Sequence, residues 1–297
     1  MANRSGIEGA DGASAGRGLT GSDDPIEIKR ALSACLARQK ELEEELRHER
    51  EVCEKEKARV KEVISKLFPR FVSDDVFMGG PVNVRYYNDV TVLFADIENF
   101  SVRSSAYTPV ELVERLDGYF SQFDDISEVY GLEKIKTIGD CYMCAGGLPE
   151  QDTRNPYRVV MAGLVMQQVV ARITESLVSV GRVPFEFRLG IHTGQAVAGV
   201  VGKWKPAYDI WGRAANIGSL MVQAGEVKKV NISRSTYELV SDAFQCVFRG
   251  SIPTKGGTAM RMYFAERLKP AFSDDDEGLT PNSRFMKRAG MGGSAER

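Results

Sequence analysis

The stretch LEKIKTIGDCYMCA, residues 132–145, decides the fold. Its two ends, 132–138 and 141–145, are short runs dominated by apolar and β-branched residues, a composition that favours strands. Gly139 and Asp140 separate the runs, and this pair of residues is typical of a tight hairpin turn. We therefore predict two antiparallel strands joined at residues 139–140.

The flanking sequence extends this hairpin into a recognisable order of elements. Apolar spacing predicts a strand, a helix, the hairpin, a second amphipathic helix and then two strands, at Val90–Ile97, Pro109–Tyr130, 132–145, Pro156–Val180, Phe185–His192 and Ala196–Val201. The order β-α-β-β-α-β predicts an α+β fold with a ferredoxin-like core. A C-terminal extension follows, with a helix at Arg213–Ala224 closed by Gly225, a helix near Arg234–Val240 and strands near Val247 and Met262–Ala265.

The two ends of the chain differ from this core. Residues 1–24 are rich in Gly, Ser, Ala and Asp, and residues 269–297 are polar and Gly-rich, so we expect both segments to be disordered. From residue 25 the chain is rich in long charged residues and has an apolar position alternately every four and three residues. Nine of these twelve seam positions are apolar, and Gln39, Glu49 and Glu56 are polar. The twelve positions are Ile28, Leu32, Cys35, Gln39, Leu42, Leu46, Glu49, Cys53, Glu56, Val60, Val63 and Leu67. This heptad predicts a coiled coil over 25–70, and the alternative is a single charged helix docked on the globular domain, 71–268.

Composition excludes several classes of function. The net charge of −2 gives no general attraction to nucleic acid, and no apolar run reaches the roughly 18 residues that a membrane span needs. The N-terminus lacks the apolar block of a secretory signal, and five scattered Cys indicate reduced thiols, so we expect a cytoplasmic protein. Cys141 and Cys144 lie three apart in a strand, on opposite faces, and are interpreted as packing residues. With only two His, the chemistry must depend on carboxylates, Lys and Arg.

Two aspartates occupy positions that suit a metal site. Asp96 ends an apolar strand in LFADIENF, and Asp140 lies in the hairpin turn. In a ferredoxin-like sheet the first strand is central and lies beside that hairpin, so the two carboxylates would meet at one edge of the sheet. Paired carboxylates with few His nearby favour Mg²⁺ or Mn²⁺ holding a triphosphate.

Five sequence blocks, in order, resemble those of class III nucleotidyl cyclases. They are LFADIENFS (93–101), KIKTIGDCYM (134–143), FRLGIHTGQAVAGVVG (187–202), YDIWGRAANIGSLM (208–221) and KGGTAMRMYF (255–264). They span nearly all of the globular part, and five ordered blocks are far more specific than one Gly-rich loop. The segment KLFPRFV (66–72) also resembles the helix that leads into many such domains. The family works as a dimer with composite sites at the interface.

The resemblance assigns roles to individual residues. It implies two divalent ions per site, held by Asp96, Ile97 and Asp140, and a phosphate cradle in the backbone after Asp96 that includes Asn99 and Phe100. Many relatives have Gly at position 99, and Asn tolerates unusual backbone angles better than most residues. By the same resemblance Arg188 binds phosphate, Lys255 lies near the terminal phosphates and Asn216 orients the ribose. Without the blocks, Arg188 and Lys255 would be interpreted as surface charges.

The resemblance also implies the base. Lys136 and Asp209 match the pair that reads adenine, in which Lys donates to N1 and Asp accepts from the 6-amino group. Guanine presents the opposite pattern, and guanylyl cyclases usually have Glu and Cys at these positions. A buried polar group without a partner is costly, so the pair predicts ATP as substrate.

One position departs from the family pattern. The family normally has a transition-state-stabilising Arg four residues after the ribose Asn, where this chain has Leu220, and it has Arg213 where an acidic or amide residue is common. We expect an adenylyl cyclase, active as a homodimer. The alternatives are a weakly active pairing subunit of a heterodimer, favoured by Leu220, and a guanylyl cyclase, opposed by Lys136 and Asp209. The upstream sensor or partner is not predicted.

Overall fold

The computed structural model describes residues 24–78, 84–253 and 259–292. The predicted disordered segment 1–24 therefore lies outside the described residues, except for Asp24. The chain divides into two compact units, residues 1–62 and residues 63–297. In the first unit the described residues form one helix, Pro25–Leu67, which continues into the second unit and ends three residues before the predicted end of the coil at residue 70.

The second unit combines short helices with a large sheet. With the long helix as α1, the helices are α1 (Pro25–Leu67), α2 (Arg70–Phe77), α3 (Phe100–Arg103), α4 (Pro109–Val129), α5 (Asn155–Ser179), α6 (Arg213–Gln223), α7 (Arg234–Val240) and α8 (Ser283–Ala289). The strands are β1 (Arg85–Ile97), β2 (Glu133–Ile138), β3 (Cys141–Gly146), β4 (Phe187–Val201), β5 (Ala207–Trp211), β6 (Val230–Ser233), β7 (Phe244–Pro253) and β8 (Ala259–Leu268). Short 3-10 turns cover Ser104–Ala106 and Pro270–Phe272.

All eight strands belong to one sheet, in the order β2-β3-β1-β4-β6-β8-β7, with β5 paired to β4. The first four strands of this order are antiparallel neighbours, and α4 and α5 connect them along the chain. This is the predicted ferredoxin-like β-α-β-β-α-β core. The extension adds β6 in parallel to β4, followed by β8 and β7 in antiparallel pairing.

The middle of strand β1, residues 92–95, is a continuous apolar run because the sheet is covered on both faces. Leu93, Ala95 and Ile97 pack into the core beneath α4 and α5. Val92 and Phe94, which alternate with them, pack into a second core on the opposite face, with residues of α2 and α6. A strand buried on both sides loses the polar alternation of a half-exposed strand.

Helix α6 lies unusually close to the sheet. A Cβ on Gly190 of β4 would lie 2.0 Å from the backbone nitrogen of Val222, so only glycine permits this approach. Leu189, Gly190 and Ile191 are paired with β6 on one side and with β1 on the other, which fixes the strand that α6 contacts. The position of α6 relative to the central strands is therefore set by backbone contact.

Three sequence-based expectations are corrected. The two strands predicted at 185–192 and 196–201 are one strand, β4, because the polar residue Thr193 is buried and its Oγ1 lies 2.9 Å from Oγ1 of Thr91. The helix predicted to close at Gly225 ends at Gln223, with Ala224 as its cap at φ −84°. Part of the segment predicted as a disordered tail, residues 269–292, is ordered.

Residues 269–292 pack on the globular unit. Asn282 caps α8 by accepting hydrogen bonds from the backbone of Arg284 and Phe285. Phe285 is fully buried, with its ring 5.6 Å from that of Phe244. The segment is polar on average, but a few apolar residues in it are buried, and these are enough to hold a short helix on the domain. Residues 293–297 lie outside the described residues.

Among the helices in the described part of the chain, none is both long enough and apolar enough to cross a membrane.

Candidate active site

The two predicted metal-binding aspartates meet at one end of the central strands. Asp96 is the penultimate residue of β1, and its register partners are Cys141 on β3 and Arg188 on β4. Asp140 immediately precedes Cys141, in the β2–β3 turn, where Gly139 adopts the left-handed conformation at φ 63°. The hairpin register thus places both carboxylates at the same edge of the sheet, as the sequence predicted.

Arg188 neutralises one of these carboxylates. Its Nε and Nη2 lie 3.0 and 2.7 Å from Oδ2 of Asp96, and its Nη1 lies 3.4 Å from the carbonyl oxygen of Gln223 at the end of α6. The side chains of Arg188 and Asp96 are three-quarters or more buried. The guanidinium therefore links β1, β4 and α6 next to the carboxylate pair.

No ion pair joins Asp140 to another of the described residues, and the surroundings of its carboxylate disfavour the charged form. Burial raises the pKa of Asp140, and the nearby charge of Asp96 raises it further, although a backbone hydrogen bond and Arg188 oppose these effects. A divalent cation would stabilise both ionised carboxylates, and carboxylate oxygens are its preferred ligands. The described residues contain no group of three or more His, Cys, Asp or Glu side chains suited to a metal. The pair therefore fits an ion whose remaining ligands come from backbone, substrate or water.

The segment after Asp96 has the unusual backbone that the resemblance implied. Ile97 ends β1 and is buried, and Asn99 adopts the left-handed conformation, with φ 54° and ψ 38°, before the short helix α3. Asn is among the few non-glycine residues that tolerate this region. Phe100 anchors α3, with its ring 6.0 Å from that of Phe185.

Lys136 and Asp209 form a second cluster. Nζ of Lys136 donates to Oδ2 of Asp209, joining β2 to β5, and Oδ1 of Asp209 accepts from the backbone nitrogen of Ile210 at 2.8 Å. Both charged side chains line a cavity of about 670 Å³ together with residues from 65–69, 133–135 and 205–208. A cation that donates and a carboxylate that accepts are thus held side by side at a concave surface.

Sequence reasoning missed Glu133 in this cavity. Burial raises the pKa of its carboxyl to about 7. Glu133 pairs in register with Ala145, whose side chain belongs to the same core as Ile135 and Tyr208. The signal in the sequence was an acidic residue three positions before Lys136, but a shift of register within β2 between Lys134 and Lys136 made its face unpredictable.

Helix α6 presents the remaining site residues on one side. Arg213, Asn216 and Leu220 are exposed, whereas Ala214, Ile217 and Met221 are buried. The spacings of three and four residues predicted this common face. Burial lowers the pKa of the His192 imidazole, and the charge of Arg213 lowers it further. Lys255, the remaining predicted site residue, lies outside the described residues.

Cys141 and Cys144 lie on opposite faces of β3, as predicted. Cys144 belongs to the core under α4 and α5, and Cys141 packs against the core of the other face. Burial raises the pKa of each thiol to about 12, which suppresses the thiolate that metal binding and redox chemistry require. Both residues are therefore packing residues.

Comparison with known proteins matches residues 82–267 to the adenylate and guanylate cyclase catalytic domain. Retinal guanylyl cyclase 1 of Bos taurus is 33% identical over 228 residues, which cover 75% of this chain and 20% of that protein. An adenylate cyclase of Mycobacterium tuberculosis is 36% identical over 178 residues, covering 60% of this chain and 39% of that protein. The chain therefore spans less than half the length of either relative.

A solved structure gives the same result. The crystal structure of the adenylyl cyclase CyaB from P. aeruginosa superposes with a TM-score of 0.60 and 28% identity, over 63% of this chain and 98% of that one. The segment 82–267, matched to the family, contains the carboxylate pair, Arg188 and the Lys136–Asp209 pair. The fold, the ordered sequence blocks and the family match agree, and the chain belongs to the adenylate and guanylate cyclase catalytic domain family.

Proposed function

We propose that this chain is an adenylyl cyclase, which converts ATP to cyclic AMP and pyrophosphate. The observation that supports this choice of nucleotide is the contact between Lys136 and Asp209 at the cavity surface. Adenine offers an acceptor at N1 and a donor at its 6-amino group, which match an ammonium donor and a carboxylate acceptor. Guanine offers a donor at N1 and an acceptor at O6, and would leave both side chains facing groups of the wrong kind.

The carboxylate cluster supports the chemistry of cyclisation. Asp96 and Asp140, with the backbone of Ile97, would hold two Mg²⁺ or Mn²⁺ ions. Bound there, such ions lower the pKa of the ribose 3′-hydroxyl and neutralise the charge that develops on the triphosphate. Arg188 can shift from Asp96 to a phosphate oxygen, because its guanidinium has donors beyond those used in the ion pair.

The other site residues would position the nucleotide. The left-handed turn at Asn99 would direct the backbone before Phe100 toward the phosphates, and Asn216, exposed on α6, would orient the ribose. Lys255 would contact the terminal phosphates. Positioning of this kind provides a large part of the rate enhancement of an in-line displacement. The entropy of ordering the reacting groups is lost when the nucleotide binds, so it no longer adds to the barrier of the reaction step.

The proposed active form is a homodimer with composite sites. The exposed apolar seam of α1 supports pairing of two chains, as a coiled coil of residues 25–70. The five cysteines are free thiols, which is consistent with a cytoplasmic location. Nothing in the net charge of −2 favours a nucleic-acid ligand.

A second candidate function is favoured by Leu220. This side chain is 41% exposed on the face of α6 that presents Asn216, where a cation would be needed to stabilise the transition state. A pairing subunit that binds nucleotide but cyclises it slowly, in a heterodimer with a complete protomer, would have this feature. A guanylyl cyclase is the third reading, and the bovine relative is of that kind.

Exchange of the base-reading pair tests the proposal. In Lys136→Glu with Asp209→Cys, the donor and acceptor are reversed to suit guanine. We expect the ratio of ATP to GTP turnover to fall by about 100-fold, since two hydrogen bonds of roughly 1 to 2 kcal/mol each are inverted. The measurement is kcat/KM for each nucleotide with Mn²⁺.

Lys229→Glu is the matched control. Lys229 also forms an ion pair with a carboxylate, that of Glu266 at 3.8 Å, but neither residue lines the cavity that contains Lys136 and Asp209. The ratio should stay unchanged in this variant. An unchanged ratio in the double variant as well would show that Lys136 and Asp209 do not read the base.

A further inference from the structure

The first unit has an apolar stripe that no other described residue covers. Every residue of α1 from Pro25 to Glu62 is exposed, including Leu32, Leu42 and Leu46, which expose 58%, 48% and 49% of their surface. These residues follow the alternation of four and three residues that forms the seam of a coiled coil. A stripe of this length is covered by another helix in stable proteins, because exposed apolar surface costs roughly 25 cal/mol per Å².

The charges that flank the stripe select both the partner and its direction. In a parallel, in-register pair of α1 helices, a residue just before the first seam position of a heptad faces the residue five positions later in the other copy. Arg38 then faces Glu43 of the second copy, and Glu45 faces Arg50 of the second copy. Both pairs have opposite signs, so a second α1 in parallel orientation is electrostatically complementary.

The antiparallel arrangement lacks this complementarity. When two helices are aligned antiparallel about residue 44, the two copies of Glu43 lie beside each other across the seam, and so do the two copies of Glu45. Like charges at these positions destabilise the pair. In the single chain Arg38 contacts Glu41 at 3.0 Å, but both side chains are about 60% exposed, so exchanging this contact for one across the seam costs little.

Two cysteines lie on the same seam. Cys35 and Cys53 are exposed free thiols, whereas Cys141, Cys144 and Cys246 are buried or half-buried. In a parallel, in-register pair each seam residue faces itself. With helix axes about 8–10 Å apart and Cα atoms about 2.3 Å from each axis, facing Cα atoms are about 5 Å apart, which is within disulfide range.

Geometry excludes a bond between these two cysteines within one chain. They are 18 residues apart on a continuous helix, which is about 27 Å at 1.5 Å per residue. Facing Cα atoms in a disulfide are at most about 7 Å apart. Each thiol can therefore be oxidised to a disulfide only with a thiol from elsewhere.

We propose that α1 pairs in parallel with α1 of a second copy, and that Cys35 and Cys53 each form a disulfide with the same residue of that copy. For each bond, two thiols lose two protons and two electrons to a peroxide, which is reduced to two molecules of water as the S–S bond forms. The seam also contains Glu49 and Glu56, which repel their own copies and weaken the reduced pair. Oxidation therefore converts a weak dimer into a covalent one.

The experiment is mild peroxide oxidation of the full chain, followed by non-reducing electrophoresis and mass spectrometry of the linked peptides. The inference rests on the dimer in the proposed function but needs no nucleotide. Wild type should give a dimer band that a thiol reductant removes, with Cys35–Cys35 and Cys53–Cys53 peptides. Cys35→Ser and Cys53→Ser should each still give a dimer, and the double variant should not.

The matched control moves the thiol off the seam. Glu51→Cys in the Cys35→Ser, Cys53→Ser background places an exposed thiol on the side of α1 away from the seam, and it should link at least about tenfold more slowly. Equal rates in this control would mean random collision and overturn the proposal. Linked peptides that join only Cys35 to Cys53 would overturn the parallel arrangement. Loss of cyclase activity with intact linking would contradict the proposed function alone.

Discussion

At the scale of single residues, Asp140 connects the hairpin turn to the proposed chemistry. We expect Asp140→Asn to lower cyclase activity on the order of 100-fold and to weaken Mn²⁺ binding, because the variant loses one of two carboxylates that face each other. Asp140 tests this role more directly than Asp96, because Asp96 also pairs with Arg188. The measurements are turnover at saturating Mn²⁺ and calorimetric titration with Mn²⁺.

Asp117→Asn serves as the control for this prediction. Asp117 is exposed on α4, so its loss should change neither quantity. Thermal unfolding reports whether the Asp140 variant remains folded. A folded Asp140→Asn protein with wild-type turnover would remove this residue from the site.

Leu220 gives a prediction in the opposite direction. Leu220→Arg places a cation on the exposed face of α6, one turn after Asn216, and should raise kcat by at least about tenfold, which corresponds to about 1.4 kcal/mol. The backbone contact of α6 with Gly190 limits how far the helix can move to accommodate the change. Steady-state kinetics with ATP and Mn²⁺ measure the effect.

Arg213→Ala distinguishes the two cations that could serve this face. Arg213 is about 10 Å along the axis from position 220 and lies near His192, so its loss should have little effect on kcat. If Arg213→Ala abolished turnover and Leu220→Arg gave no gain, Arg213 would have the role that Leu220 lacks.

At the scale of elements, His192 links β4 to the segment β6–α7 through neutral hydrogen bonds. Its Nδ1 lies 2.7 Å from Oγ of Ser233 and 3.1 Å from Oγ of Ser235. Burial, followed by the charge of Arg213, lowers its pKa to about 4. The folded protein therefore resists protonation of His192 between about pH 6.5 and pH 4, whereas the unfolded chain accepts the proton in this range.

The sign of the pH effect follows. Because the unfolded state binds more protons in this window, His192 should lower the free energy of unfolding as the pH falls from 6.5 to 4, by roughly 3 kcal/mol in total. Chemical denaturation across this range measures the slope, and His192→Asn should reduce it. His48→Asn, at the exposed histidine of α1, should leave it unchanged. Equal slopes in wild type and His192→Asn would contradict the neutral buried state.

Elements with strong local signals were predictable from the sequence. The start of α1 and both bounds of α7 match those predicted, and the β2–β3 hairpin has its turn at the predicted residues, because heptads, caps and the Gly-Asp pair act locally. Strand β6 was missed because its four residues are too short for periodicity. The prediction of two strands in place of β4 was wrong because the hydroxyl of Thr193 finds its hydrogen-bond partner, the hydroxyl of Thr91, only when β1 and β4 pair.

The candidate site shows the same division. Asp96 and Asp140 could be brought together from the strand order alone, since the hairpin lies beside β1. Glu133 could not be placed, because its face depends on a register shift within β2. The ordered C-terminal segment was also unpredictable, since Phe285 packs against distant residues such as Phe244, which lies 41 residues earlier in the chain.

At the scale of the whole molecule, the first unit, residues 1–62, and the second unit, residues 63–297, support different parts of the proposed function. The second unit contains the carboxylate cluster and the Lys136–Asp209 cluster, which support nucleotide cyclisation. The helix of the first unit supports assembly of two copies. Turnover should therefore rise more steeply than linearly with protein concentration while the dimer is weak.

The most direct test of the central claim is a product assay on the full chain, with ATP and GTP at equal concentrations, Mn²⁺, and chromatographic separation of the two cyclic nucleotides. The Lys136–Asp209 pair predicts cyclic AMP as the main product, formed at least about tenfold faster than cyclic GMP. Faster formation of cyclic GMP would contradict the proposed base reading. Absence of either product, together with activity after mixing with a cyclase protomer that supplies the missing arginine, would contradict independent catalysis and identify a pairing subunit.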